Sequence, residues 1–370
     1  MSEQYTDTPT LNDYNRIYSK TQFTHRLLSI HWELTYRCNE RCTHCYLDVM
    51  PPGAKVPGEL TTEEAYRVVD ELAALGGLTI TFSGGEVFVR DDVFDIARYA
   101  RKRGFAVRFF TNGILVNERM ADEIAAVKPV VVEMSLYSHR ADVHDAITQV
   151  PGSWDLTNRA IDLLLERGVR VLMKSPLMRE NVEEFDQLSG YATQKGIRFQ
   201  YDTTIIPKHT GDPSPLQHRP TDDQLLGFMR ERVSPETWNR PITNDEFRFC
   251  GIGLNSLAIS PYGEIYTCVG ARVSAGNLRQ SELRNIWQDS PVWEETGSLT
   301  IGELPVCATC ELREFCVRCH GTAAFEDGDM LGCSSVAYRE ARMRRQAYHD
   351  NENKSLALAG VDKTDPFDGC

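Results

Sequence analysis

The sequence predicts an α/β fold: a partial (β/α)6 barrel followed by a C-terminal, cysteine-rich and mostly irregular domain. Three observations predict it. From residue 27 to residue 205, short apolar runs alternate with amphipathic stretches, the rhythm of a parallel sheet with crossover helices. Glycines stand where the helices of that rhythm must stop. Of eleven cysteines, three lie between 38 and 45 and seven between 250 and 333, with none in the long interval between them.

The elements follow in order. Residues 1–26 are polar, form a lead-in and contain no apolar signal-peptide core. Strands are predicted at Leu28–Thr35, Leu78–Phe82, Ala106–Phe110, Val130–Ser135, Val169–Lys174 and Arg198–Thr203. Helices are predicted over 62–75, 91–103, 117–127, 154–167 and 182–195. Thr61 and Glu64 have the spacing of a capping box. Gly76, Gly104, Gly168 and Gly196 end helices. This barrel covers 27–205, and its site is expected at the carboxyl ends of the strands. Four prolines between 206 and 220 interrupt the rhythm and open a bridging region, 206–244, with a helix at 221–232. Residues 245–340 are short segments, turns and cysteines. Val336–His349 reads as helix, and 341–370 as a C-terminal helix and acidic tail.

Composition narrows the function classes. At 370 residues the chain is long enough for two or three domains, and 41% hydrophobic with 25% charged residues is ordinary for a globular protein. No apolar run approaches the roughly 20 residues of a membrane span. A net charge of −13 argues against nucleic acid as a partner. Clustered cysteines in a chain without an export signal read as metal ligands in a reducing, cytoplasmic compartment rather than as disulfides.

The first cluster, Cys38, Cys42 and Cys45, has the spacing C-x3-C-x2-C and follows the first strand directly. Three thiolates on one short loop can hold three irons of a four-iron, four-sulfur cluster and leave the fourth iron open. The competing reading is a structural zinc completed by His44, although such sites want a closed set of four ligands. Phe82-Ser83-Gly84-Gly85-Glu86 follows the second strand: two glycines allow close backbone approach, and a carboxylate beside them suits an ammonium group. Thr111-Asn112-Gly113 and Ser135-Leu136-Tyr137-Ser138 end the third and fourth strands with groups suited to a ribose. Singly each reads as turn chemistry; together they fit one bound nucleoside. Lys174 and Asn181, near the fifth strand, are weaker candidates that read as solvated rather than functional.

These residues resemble the radical S-adenosylmethionine (SAM) superfamily over residues 27–205. The resemblance implies that Cys38, Cys42 and Cys45 hold a 4Fe–4S cluster whose open iron binds the methionyl amino and carboxylate groups. It further implies that the cofactor lies on Ser83, Gly84, Gly85, Glu86, His44, Thr111, Asn112 and Ser135. Within that set the Gly84–Glu86 strip receives the ammonium, His44 stands beside the adenine, and Ser135 touches ribose or carboxylate. Many members place an Arg about a dozen residues after that Ser. Here the stretch reads Asp145-Ala146-Ile147-Thr148-Gln149, and Arg140 is the substitute nearest in sequence.

Residues 245–340 resemble the SPASM extension, which usually carries two auxiliary iron–sulfur clusters. On that likeness Cys307, Cys310, Cys316 and Cys333 hold the outer cluster, and Cys250, Cys268 and Cys319 the inner. The inner set is one cysteine short. The usual last spacing is x3, which falls on His320, so the ligand at 319 or 320 stays open, and two structural zincs are the competing reading. Cys370 is read as a free thiol.

The resemblance implies reductive cleavage of SAM to a 5′-deoxyadenosyl radical that takes a hydrogen atom from substrate. The substrate it points to is a ribosomally made peptide, crosslinked, oxidised or decarboxylated. The alternative is a step in small-molecule or redox-cofactor biosynthesis. A reading of another class is a non-catalytic iron–sulfur electron carrier or zinc-stabilised scaffold. Expected partners are the peptide or small-molecule substrate, a one-electron donor such as flavodoxin or ferredoxin, and a separate small peptide-recognition protein.

Overall fold

The computed structural model describes residues 24–232, 242 and 244–358; the lead-in before Thr24, the acidic tail and Cys370 lie outside the described residues. Strands β1 (Ser29–Glu33), β2 (Thr79–Ser83), β3 (Ala106–Thr111), β4 (Val131–Ser135), β5 (Val171–Pro176) and β6 (Arg198–Asp202) lie side by side in sequence order, and every pair among them is parallel. Between them run α1 (Thr62–Ala74), α2 (Val93–Lys102), α3 (Glu118–Val127), α4 (Ala141–Thr148), α5 (Ser153–Glu166) and α6 (Phe185–Gln194). This is the predicted partial barrel.

The strands alternate in chemistry because their two faces meet different surroundings. Trp32, Phe82, Phe109, Val132 and Met134 share one face and are wholly buried in one apolar core with α1, α2 and α5. Each Phe there contributes about 1.5–3 kcal/mol by leaving water. His31, Glu33, Thr81, Ser83, Arg108, Phe110, Glu133 and Ser135 share the other face. A parallel sheet buried equally on both sides reads as continuous apolar runs. The polar alternation here marks a barrel interior that is kept for chemistry.

Local signals set the helix limits. The Thr61 hydroxyl accepts from the Glu64 N–H while the Glu64 carboxylate accepts from the Thr61 N–H, so the predicted capping box is formed. Helix α4 was not expected from the sequence: it has eight residues, no side-chain cap and only a narrow buried face of His144, Ile147 and Thr148. Tertiary contact, not propensity, decides it.

The sheet does not end with the barrel. β7 (Ser256–Ile259) pairs parallel to β1, and β8 (Glu264–Tyr266) and β9 (Ser274–Asn277) continue antiparallel, giving nine strands. Strands of three or four residues among turns carry little periodicity, which is why the sequence pattern did not reveal them. Leu257, Ile259, Ile265 and Leu278 join the same core as Ile30 and Trp32, capped by Trp287 and Trp293. Beyond the barrel, α7 (Asp222–Arg232) packs along the long last helix. Then come α8 (Leu283–Asp289), α9 (Val292–Gly297), α10 (His320–Asp327) and that last helix, α11 (Ser335–Leu358).

Candidate active site

A cavity of about 310 Å³ opens at the carboxyl ends of the strands. Cys38, Cys42 and Cys45 line it together with Gly84, Gly85, Thr111, Asn112 and Ser135. The cysteine loop is held from outside. Its Arg41 and Thr43 N–H groups donate to the carbonyls of Thr148 and Ile147 at the end of α4, at 3.0 and 2.9 Å. The Cys38 N–H donates to the Met50 carbonyl at 2.8 Å. The unforeseen helix is thus what fixes the loop's backbone and leaves its sulfurs facing the cavity.

Burial pushes all three thiols up and the Glu40 carboxylate pushes the same way, with the neighbouring sulfurs adding to the rise at Cys38 and Cys42. Three buried thiols beside a carboxylate want a shared cation. Among the described residues no three Cys, His, Asp or Glu side chains converge on a single ion-sized site. A cluster asks for less convergence, because each thiolate takes a different iron. The donor set therefore fits an iron–sulfur cluster.

The glycine strip fits by necessity. A Cβ on Gly84 would stand 2.2 Å from the Thr35 carbonyl oxygen, and one on Gly85 2.5 Å from that of Arg37. Gly84 also has φ +148°, outside the reach of L side chains. The Gly85 and Glu86 N–H groups bond those same two carbonyls, at 2.8 and 2.9 Å. The strip is thereby laid flat against the root of the cysteine loop. Glu86 itself turns away: its buried carboxylate accepts from the Phe88 and Asn112 N–H groups and the Thr111 hydroxyl at 3.0, 2.8 and 2.8 Å. It buttresses the end of β3, and the cavity wall here is the Gly84–Gly85 backbone. Ser83 also lines the cavity and bonds His31 Nε2 at 2.6 Å.

His44 is in the wall, edge-on to Tyr137 at 4.8 Å, and burial lowers its pKa to about 4, so the ring is neutral. Arg140 is not in the wall. It is half-exposed and pairs with Asp142 and Glu184. Lys174 is the one basic side chain among the described residues of the cavity wall. It stands in register with Ser135, 2.8 Å from the buried Glu133 carboxylate and over the Phe110 ring. The reading of Lys174 and Asn181 as solvated fails for both. Asn181 is fully buried and donates to the Tyr137 and Pro176 carbonyls at 2.8 and 3.1 Å. Sequence reasoning also missed Glu40, Tyr46, Phe110 and the wall segment Thr204–Ile206. Glu40 had a signal, a carboxylate between two thiols; the wall segment had none.

The second cysteine field gathers into two groups. Cys307, Cys310, Cys316 and Cys333 line one small cavity. Cys268 and Cys319 lie close enough to Cys250 to help burial raise its pKa, and Cys319 does the same to Cys268. The field is tied to the barrel by Arg272, four residues after Cys268. Its guanidinium grips both oxygens of the buried Glu33 carboxylate at 2.9 and 2.7 Å and donates to the Tyr36 hydroxyl at 2.8 Å. Tyr46, next to Cys45, donates to the same carboxylate at 3.2 Å. Among the described residues no helix is long and apolar enough to cross a membrane.

An open half-barrel with three thiols and a glycine strip on one cavity defines a class of cofactor enzyme, and the comparisons agree. Residues 32–192 match the radical SAM superfamily, and residues 250–311 match SPASM, an iron–sulfur cluster-binding domain. Mycofactocin maturase MftC of Mycobacterium tuberculosis is 31% identical over 284 residues, 71% of each chain. AdoMet-dependent heme synthase of Methanosarcina barkeri is 27% identical over 331 residues, 82% of this chain and 93% of the other. Among solved structures, Streptococcus suis SuiB bound to its precursor peptide SuiA superposes with a TM-score of 0.65 at 16% identity, over 91% of this chain and 84% of that one. Likewise anSMEcpe with bound AdoMet gives 0.65 at 14% identity, over 92% and 96%. The chain belongs to the radical SAM superfamily and carries a SPASM extension. It is an enzyme that binds iron–sulfur clusters and SAM.

Proposed function

We propose that this enzyme modifies a small ribosomally made peptide by hydrogen-atom abstraction. The observation that carries the reading is the identity with a maturase over 71% of both chains, supported by two fold neighbours solved with peptides, SuiB with SuiA and anSMEcpe with a Cp18Cys peptide. Cys38, Cys42 and Cys45 hold the first cluster. When bound there, the cluster and SAM supply one electron and a carbon radical strong enough to take hydrogen from an unactivated carbon. The protein's own residues do the rest. The Gly84–Gly85 backbone receives the ammonium, Thr111 and Asn112 the ribose, and His44 flanks the adenine. Ser135 and Lys174 meet the carboxylate, with Lys174 in the role that an Arg after Ser135 would otherwise fill. Thr204–Ile206 and Phe110 exclude water from the cavity. Two auxiliary clusters occupy the second field, the outer on Cys307, Cys310, Cys316 and Cys333, the inner on Cys250, Cys268 and Cys319. The barrel spans 27–205, the bridge 206–244 and the auxiliary domain 245–340. A flavodoxin or ferredoxin delivers the electron in the cytoplasm, and a separate small protein presents the peptide.

A second reading, a step on a small-molecule or tetrapyrrole cofactor, has one observation in its favour: the heme synthase likeness covers more of both chains. The test is 5′-deoxyadenosine release by anaerobic, cluster-loaded protein given SAM and reductant. Cys42→Ala is expected to release none. Turnover accelerated by a peptide encoded beside the gene supports the first reading; acceleration by a tetrapyrrole and not by that peptide overturns it.

A further inference from the structure

The two groups of thiols in the second field meet at one buried cation. Arg318 lies between Cys316 and Cys319 in sequence and is 3% exposed. It lines the cavity of the outer group, Cys307, Cys310, Cys316 and Cys333. In the chain it adjoins Cys319 of the inner group directly, and the Gly332 carbonyl that accepts from its guanidinium at 2.7 Å adjoins Cys333 of the outer group. Among the described residues no carboxylate pairs with it. Its donors go to the Gly332 carbonyl at 2.7 Å, to the Met330 carbonyl and to His320 Nδ1 at 2.6 Å. A buried guanidinium without a carboxylate is costly unless other anions lie close. Here the neighbours able to become anionic as cluster ligands are the four cysteines of that cavity and Cys319, next in the chain.

The same contact decides the state of His320, which is 1% exposed. A guanidinium only donates, so Nδ1 must accept, and the proton of the neutral ring sits on Nε2. The Met330 carbonyl lies near the ring, yet Nε2 has no hydrogen-bond partner among the described residues. A nitrogen that carries its proton has no lone pair for iron. Gly321 seats the start of α10 on the turn after Cys268, where an added Cβ would meet the Gly270 carbonyl oxygen at 2.2 Å. Cys319, just before it, is thereby brought to the inner group.

We propose that Arg318 is a positioning residue that ties the two auxiliary groups into one electrostatic unit, raising the reduction potential of both and holding His320 as an N–H donor rather than an iron ligand. This rests on the reading that both groups hold iron–sulfur clusters. That reading is checked first, by iron content: iron for a single cluster overturns it before any titration begins.

The experiment uses the fully loaded enzyme. Redox titrations followed by electron paramagnetic resonance are run on the wild type, Arg318→Met and Arg318→Lys. Arg318→Met is expected to lower both auxiliary potentials by at least tenfold in the reduction constant, about 59 mV for one electron, leaving the barrel cluster unmoved. Arg318→Lys keeps the charge and is expected to stay within threefold of wild type. Pulsed resonance on wild type labelled with 15N-histidine is expected to show no coordinated nitrogen. Unchanged potentials in Arg318→Met at full iron, a shift in one group alone, or a coordinated histidine nitrogen overturns the proposal. If Arg318→Met does not retain its iron, the labelled wild type and Arg318→Lys decide. A tenfold fall in the Lys variant then counts against the charge.

Discussion

The two cysteine regions reach similar ends by opposite routes. The first places three thiols on one loop of eight residues, and its packing only has to hold that loop still. The second collects seven thiols from segments between 250 and 333 that are joined by strands and short helices. In the first, the backbone carries the geometry: carbonyls at 50, 147 and 148 fix the loop, and the glycine strip lies against its root. In the second, side chains carry it, with a buried guanidinium at the junction. A local motif survives rearrangement elsewhere, whereas a gathered one exists only when the whole region is folded.

The largest expected effect comes from cutting the tie between the regions. Arg272, in the connection between β8 and β9, holds Glu33 of β1, and it adopts φ +43°, a conformation unfavourable for a residue with a side chain. Arg272→Met strands a buried carboxylate and is expected to cost about 3–5 kcal/mol, read as a fall in the urea midpoint under anaerobic conditions. Iron loss should fall mainly on the second field, because Arg272 belongs to the turn after Cys268. Equal loss from both regions would break the contrast. Next is Gly84→Ala, which forces a Cβ onto the Thr35 carbonyl in a left-handed conformation. The expected cost is about 2–4 kcal/mol, with loss of SAM binding while the auxiliary iron remains.

That contrast also explains what the sequence could reveal. The βα rhythm, the helix stops, the capping box at Thr61 and the Cys38–Cys45 spacing are local, and each follows from periodicity or from chemistry over a few residues. Cys307, Cys310 and Cys316 share a short stretch too, but their grouping with Cys333 comes from the SPASM resemblance, not from spacing alone. Strands β7–β9 and helix α4 are too short to declare themselves; pairing with β1 and packing under the cysteine loop create them. The role of Glu86 as a buttress, and of Asn181 as a buried clasp, depends on which backbone groups lie within 3 Å, and spacing along the chain holds no record of that. Lys174 ranks low as a candidate in the sequence because a lysine at a strand end is usually solvated. Only register puts it beside Ser135.

Lys174 allows a finer test of the first region. If its charge stands in for the missing Arg, Lys174→Ala weakens SAM binding to the cluster-loaded protein about tenfold, about 1.4 kcal/mol, with stability little changed because Glu133 keeps Arg108. Lys174→Arg should restore most of the affinity. Equal affinity in all three proteins would return Lys174 to a merely structural partner of Glu133.

The smallest expected effect concerns the outer seam, where barrel and extension meet at the surface. Arg279, just after β9, reaches Glu64 at the start of α1 at 2.7 Å. Its hydrogen bonds, helped by the Thr61 N–H and opposed by partial burial, pull the Glu64 carboxyl from 4.5 to about 2. A carboxyl held below its unfolded value adds stability above that value and loses it as pH falls through the folded one. The contribution is therefore whole above about pH 5 and fades between 4.5 and 2. Both groups are partly exposed, so solvent screens the pair and the gain is less than about 1 kcal/mol. Metal-free wild type and Glu64→Gln should differ by that amount at pH 7 and converge toward pH 2. A difference that persists at pH 2 would assign the effect to the cap and packing at the start of α1 rather than to the ion pair, because the glutamine amide oxygen can still accept from the Thr61 N–H. Salt separates the same two terms, because the ion pair is screened and the cap is not.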